Sequence, residues 1–345
     1  MAHLSPSRCL KLLALASFAL ALGAHSAAAQ KLTEHPCDLL AAKTPCVAAI
    51  STTRALYRSY AGSLYQVTRL HDGKAADVGV LPDGVADAAA QDTFCRDTTC
   101  VITRLYDQSP NHNDLTPAPP GGYAHGTGPE GYDVPAVATA LPAMVGGHRV
   151  YGIAIEPGQG YRNNQPKKTA VHGEPEGVYM VTSALHLNER CCFDFGNAEV
   201  DSKDNKYGHM DAINIMYRAK LNAPDVGLDM EDGIPGGLAV PAGTMFVTDM
   251  GANDGQHTYA MYQGDAQGRL NGGKLSSTGK VPLLDHYQPM KQEGAIILGI
   301  GGDNSNSATG YFFEGVMTQG EPDAAAMQRV QDNVVAAKYA GTLRP

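Results

Sequence analysis

The sequence predicts an all-β protein, a large β-sandwich with long loops and one helix at its C-terminal end. Three observations carry that reading. Glycine and proline are abundant at 39 and 21, tyrosine stands at 16 with no tryptophan, and apolar residues gather in short runs between turn residues instead of heptads. The exception is 323–339, where Ala326, Val330, Val334 and Ala337 follow an Asp323 N-cap at helical spacing.

At the N-terminus, Arg8 and Lys11 precede an apolar run from Leu12 to Leu22, closed by Ala27, Ala28 and Ala29. That pattern predicts a signal peptide over residues 1–29, cleaved after Ala29. Residues 30–345 then form one exported domain, with no later segment long enough to span a membrane. A net charge of −9 without a basic run argues against nucleic acid or an anionic membrane and fits a neutral substrate.

Of seven cysteines, Cys9 lies in the leader, so six remain for an oxidising compartment. Cys37 and Cys46 bracket one short loop, Cys95 and Cys100 another, and Cys191 and Cys192 are adjacent. Three local bridges are the economical solution. Adjacent cysteines more often serve separate partners, because the ring that they close is strained. With no CxxC pair and no cluster of histidines, a metal site is not expected.

Taken in order, residues 53–68 have mixed spacing, and strands are expected around Gly62. Residues 100–106 (CVITRLY) alternate as a strand does. Residues 107–113 are turn chemistry, and 117–133, with four prolines and five glycines, form a long surface loop. Strands follow at 151–155 and 177–182, separated by a polar loop holding Tyr161, Arg162, Asn163 and Asn164. Residues 191–209 are polar and read as irregular. Further strands are expected at 244–249, 257–262 and 295–300, and 312–318 as the closing strand.

Two stretches carry chemistry. In 226–233 (VGLDMEDG), strand alternation puts Asp229 and Glu231 on one face and Leu228 and Met230 on the other. Two like charges so placed repel unless exposed or engaged with a ligand, although a charged edge strand presents the same pattern. In 293–306 (EGAIILGIGGDNSN), a core strand ends at Gly301 and Gly302, which free the backbone and present Asp303 and Asn304. A simple polar turn reads the same way.

Collinear motifs join these stretches: TPCVAA at 44–49, STTRALY at 51–57, AQDTFC at 90–95, YDQS at 106–109, APPGG at 118–122, GYRNN at 160–164, CCFDFGNAE at 191–199, DME at 229–231, and the glycine-hinged segment with FEGVMT at 313–318. Together they resemble the catalytic domain of family 54 glycoside hydrolases, the secreted α-L-arabinofuranosidases. The resemblance implies a two-sheet, concanavalin-like jelly roll and retaining exo-hydrolysis of terminal arabinofuranosyl groups without a cofactor. It implies Glu231 as nucleophile, Asp303 as general acid/base, and a disulfide between Cys191 and Cys192 beneath the sugar. Asp229, Gly302, Asp232 and Asn304 become substrate contacts. The expected partner is an arabinofuranosyl carbohydrate, met by a monomer.

Two departures bear on the pocket. The family has a tryptophan before the nucleophile and an asparagine after it; this chain has no tryptophan, and Asp232 stands at the latter position. Related furanosidase specificity, for D-arabinofuranosyl or galactofuranosyl ends, is the alternative enzyme reading. A lectin-like module that binds sugar without catalysis is the other. The resemblance covers the catalytic part alone, and the C-terminal β-trefoil of fungal members is not expected after the terminal helix.

Overall fold

The computed structural model describes residues 1–2, 34–231 and 237–343; all but the first two residues of the leader expected at 1–29, and the Asp232 contact, lie outside them. Among these residues two large antiparallel sheets face each other, with a small three-stranded sheet beside them. The larger sheet runs Ser276–Ser277, Thr258–Asp265, Phe246–Asn253, Glu176–Ser183, Gly310–Gln319, His148–Ile155, Leu141–Val145, with Cys46–Ser51 and Val281–Pro282 paired off that path. The second runs Leu238–Ala239, Ala223–Asp229, Asp211–Arg218, Asp194–Ala198, Ala295–Leu298, Tyr161–Asn163, Thr116–Pro117.

Apolar residues on the facing sides bind the sheets together, as area burial demands. Phe195 from one sheet meets Phe312 from the other with ring centroids 5.4 Å apart. Gly315 makes room for the contact, since a methyl group there would fall 2.5 Å from the Phe195 ring. The three disulfides join Cys37 to Cys46, Cys95 to Cys100 and Cys191 to Cys192, as local pairing predicts. The expected helix forms over Ala324–Ala336, with the Asp323 side chain accepting from the Ala326 N–H at 2.8 Å. Met327, Val330 and Val334 are its buried face.

Several expectations are corrected. No strand forms around Gly62; the chain there is irregular up to Tyr65–Arg69. The segment before it is bent by Ser51, whose hydroxyl accepts from the N–H groups of Thr53 and Arg54 at 3.1 Å. Arg54 is thereby delivered to a bidentate pair with Glu314, both wholly buried, with Tyr339 and Tyr179 donating to the same carboxylate. Residues 312–318 lie in the last strand of the chain, Gly310–Gln319, as expected. They sit mid-sheet, flanked by Glu176–Ser183, His148–Ile155 and Cys46–Ser51. The polar stretch at 161–163 is a short strand, and 194–198, read as irregular, is a wholly buried one. Two short helices, Pro36–Leu40 and Ala88–Phe94, were not foreseen.

Between the sheets, Glu176 faces Asp211, and Asn197 donates to both oxygens of Glu176 at 3.1 and 3.2 Å. Desolvation, with no cation among the described residues to offset it, raises the proton affinity of both acids, Asp211 from 3.8 to about 7. The folded state therefore holds a proton that the unfolded chain releases. Stability is greatest below the unfolded value and falls as pH rises from about 4 to about 7, by at most about 1.4 kcal/mol per pH unit for one proton. Thermal melts across that range should show a decline to which this pair contributes, and Asp211→Asn should make it shallower; a variant with the parental slope would contradict the shared proton.

Candidate active site

A cavity of about 540 Å³ opens on the outer face of the second sheet. Strand alternation builds its floor. Along Asp211–Arg218, Ile213 and Ile215 point into the core, while Asn214, Met216 and Arg218 line the cavity. The neighbouring strand buries Val226 and Leu228 and presents Asp225 and Asp229. Arg218 Nε donates to Asp225 Oδ1 at 2.8 Å, which fixes one end.

The other wall is the loop after Ala295–Leu298. Gly301 and Gly302 are glycines because other groups occupy the space of a side chain. A methyl on Gly301 would lie 2.9 Å from Cys192 Sγ, and one on Gly302 would collide with Glu199 Oε2. The Cys191–Cys192 bridge thus packs directly on the loop, and its sulfurs and an Asp229 oxygen lie within 4.8 Å of one another. Sulfurs joined in a disulfide are not thiolates, so these three atoms do not form a metal ligand set.

Asp303 lines the cavity with its carboxylate held in a turn. Ser305 donates to Oδ1 from its N–H at 3.0 Å and its hydroxyl at 2.5 Å. The long 117–133 loop braces this turn: Tyr123 N–H donates to the Asp303 carbonyl at 3.0 Å, and Gly121 packs against the same backbone. Asn304, expected to touch substrate, does not reach the cavity. With φ at +68° it is turned inward and wholly buried, its amide donating to the Ala124 carbonyl at 3.4 Å.

Glu231 also lines the cavity, by a route different from the one expected. The strand stops at Asp229, so Asp229 and Glu231 do not share a continuous strand face. Glu231 takes φ +67°, its N–H donates to Asp229 Oδ1 at 3.1 Å, and its carbonyl accepts from Tyr287 Oη at 2.7 Å. A side chain in the left-handed region is strained and is held there by these partners.

Behind Glu231 stands Glu199, wholly buried, which sequence reasoning passed over. The two carboxyls meet, and both bind protons more tightly than usual. Glu199 rises to about 7, chiefly from burial; Glu231 rises to about 10, from burial, then the Glu199 charge, then Asp229. Asp194, wholly buried under the same site, is likewise held well above the carboxylate range by burial and by Asp229. Arg162, read as a loop residue, is 2% exposed and joins the parts. It donates to the Gly302 carbonyl at 2.6 Å, to the Glu199 carbonyl and to Asn164 Oδ1. Its only sequence signal was a cation between tyrosine and asparagine. Asp194 was signalled better, since Phe193 and Phe195 alternate around it, but Gly196 and Asn197 imitate a turn.

Fold and site together define a β-sandwich with an open, acid-lined pocket, the arrangement of glycoside hydrolases that work through paired carboxyl groups. Residues 36–340 match the family model described as Alpha-L-arabinofuranosidase B, catalytic, and the chain belongs to that family. It is 47% identical over 326 residues to the Probable alpha-L-arabinofuranosidase B of Aspergillus fumigatus, covering 88% of this chain and 62% of that one. Against the Alpha-L-arabinofuranosidase of Hypocrea jecorina it is 45% identical, covering 91% and 65%. The chain thus spans less than two thirds of the length of these curated relatives. A solved arabinofuranosidase complexed with arabinofuranosyl-alpha-1,2-xylobiose superposes with a TM-score of 0.84 at 44% identity, covering 89% of this chain and 66% of that one. A family 54 α-L-arabinofuranosidase soaked with a cyclic sulfate inhibitor gives 0.85 at 44%, covering 90% and 67%.

Removing Arg162 tests how the site is assembled. Arg162→Leu leaves the buried carbonyls of Glu199 and Gly302 without donors, a loss of about 2 to 5 kcal/mol in unfolding free energy by chemical denaturation. A loss below about 0.5 kcal/mol, the size of an ordinary surface change, would show that the guanidinium does not hold these carbonyls.

Proposed function

We propose that this protein is an exported, retaining exo-α-L-arabinofuranosidase that releases terminal α-L-arabinofuranosyl groups from arabinan- or arabinoxylan-type oligosaccharides. It acts as a monomer and without a cofactor. The observation that carries the reading is the placement of Glu231 and Asp303 on one cavity, against the Cys191–Cys192 bridge and Asp229, in a chain of this family. Export is supported by the disulfides, which persist in oxidising compartments.

In this reading Asp303 protonates the glycosidic oxygen as Glu231 attacks the anomeric carbon, which gives a glycosyl ester. Asp303, now ionised, takes a proton from water, and the water displaces Glu231. Two inversions return the original anomeric configuration. The geometry that this requires is about 5 to 5.5 Å between the carboxyls. The disulfide offers a rigid apolar platform for the furanose face, while Asp229 and the Gly302 N–H provide polar contacts for hydroxyls.

An NMR time course on 4-nitrophenyl α-L-arabinofuranoside tests sugar and stereochemistry together. Arabinose should appear first in the α form. Folded Glu231→Gln should fall to background, and Asp303→Asn should lose about 10²- to 10⁴-fold on substrates with poor leaving groups. First-formed β-arabinose would defeat the retaining assignment, and undiminished turnover by Glu231→Gln would defeat the nucleophile. Preference for a D-arabinofuranoside or a galactofuranoside in a parallel panel would redirect the substrate.

A further inference from the structure

We propose that Arg190 and Arg218 form a carboxylate clamp at the far end of the cavity, one that favours leaving chains carrying a uronosyl group. The inference rests on the arabinofuranosidase reading and names a feature of its substrate.

Two ties to the backbone bring the arginines together. The Asn188 carbonyl accepts from the Tyr217 N–H at 3.1 Å, and Glu189 Oε1 accepts from the Ala219 N–H at 2.5 Å. These bonds fall on either side of Arg218 and hold the residues just before Arg190 against its strand. Asn188 Oδ1 accepts from the Arg190 N–H at 3.0 Å, and the Asn188 amide donates to the Ser307 carbonyl at 3.1 Å, which fixes the loop from its other side. Both arginine side chains line the same cavity.

Most of their donors are still open. Arg218 is held through Nε alone, on Asp225 Oδ1, and its two terminal nitrogens make no hydrogen bond among the described residues. The Arg190 guanidinium has neither an ion pair nor a hydrogen bond among them. Asp225 cancels one of the two positive charges, and Glu189 does not line the cavity. One positive charge with planar, forked donors remains, and such donors bind a carboxylate through parallel bonds. The net charge of −9 disfavours anions over the protein as a whole, but salt screens that field beyond about 8 Å, whereas the clamp acts in contact.

Distance decides which part of a substrate reaches it. Asp225 and Asp229 lie four residues apart on one strand face, about 13 Å at the rise of an antiparallel strand. The volume of about 540 Å³ is that of pockets that take drug-sized ligands, roughly 300 to 1,000 Å³, and exceeds the needs of one furanosyl ring. With the released group beside Asp229, the leaving chain fills the remainder, because a terminal group has no other sugar attached.

The test compares a glucuronosyl-bearing arabinofuranosyl xylo-oligosaccharide with its own methyl ester, which removes the charge and keeps the sugars. The parent should prefer the acid by about three- to tenfold in kcat/KM at low salt, chiefly through KM. That preference should shrink in about 0.5 M sodium chloride. Arg190→Gln should bring the ratio near one, and Arg190→Glu should invert it. A second acid and ester pair, built on a galacturonosyl group, separates the two sources of the carboxylate. A ratio near one in the parent with both pairs, or the parental ratio in both variants, would overturn the proposal. If the parent releases no arabinose from any of these compounds, the activity reading fails, and calorimetric binding of each acid against its ester still decides whether the clamp exists.

Discussion

The site depends on one buried cation. Arg162 stands on a short strand beside Ala295–Leu298 and ties the carbonyl after Asp194–Ala198 to the carbonyl of Gly302. Both attachments are to backbone, so the guanidinium sets where two chain segments lie and leaves the carboxyl groups above them to chemistry. Burial lowers its proton affinity to about 10, and the fields of Glu199, Asp201, Asp303 and Glu293 act against that fall. The cation thus draws part of its own support from the acids that it organises. Planar donors aimed at carbonyls in different directions suit arginine and not lysine.

A second theme is how the molecule tolerates so many acids out of water. Two different solutions appear. On the far face of the larger sheet, Glu314 is matched by Arg54 in a bidentate pair and by two tyrosine hydroxyls. Between the sheets and beneath the cavity, Glu176, Asp211, Asp194 and Glu199 have no such cation on their carboxylates among the described residues, and burial raises their proton affinity instead. The first solution is a structural ion pair; the second makes both stability and the state of the site follow pH.

Much of this was legible in the chain. Apolar runs such as 295–298 and the helical spacing after Asp323 translate directly into elements, because their periods match the geometry that they adopt. The two cavity acids, the vicinal bridge and the glycine pair also stood out, each through an unusual local pattern. What escaped was set by distant partners. Arg162 and Glu199 are polar residues in polar surroundings, and only the fold shows that they are buried and opposed. Asn304 failed for the converse reason: its polar neighbours suggested exposure, whereas a left-handed backbone turns it inward. The strand reading of Glu231 missed because a stop after Asp229 cannot be seen in alternation alone.

The glycine pair at 301 and 302 has a practical bearing on engineering. Its missing side chains are filled by Cys192 and Glu199, so this hinge is a tightly fitted joint and not a slack one. Campaigns that stiffen an enzyme by replacing glycines assume idle volume at such positions. Here the volume is already occupied by working parts, and a library intended to improve heat tolerance should leave both codons untouched.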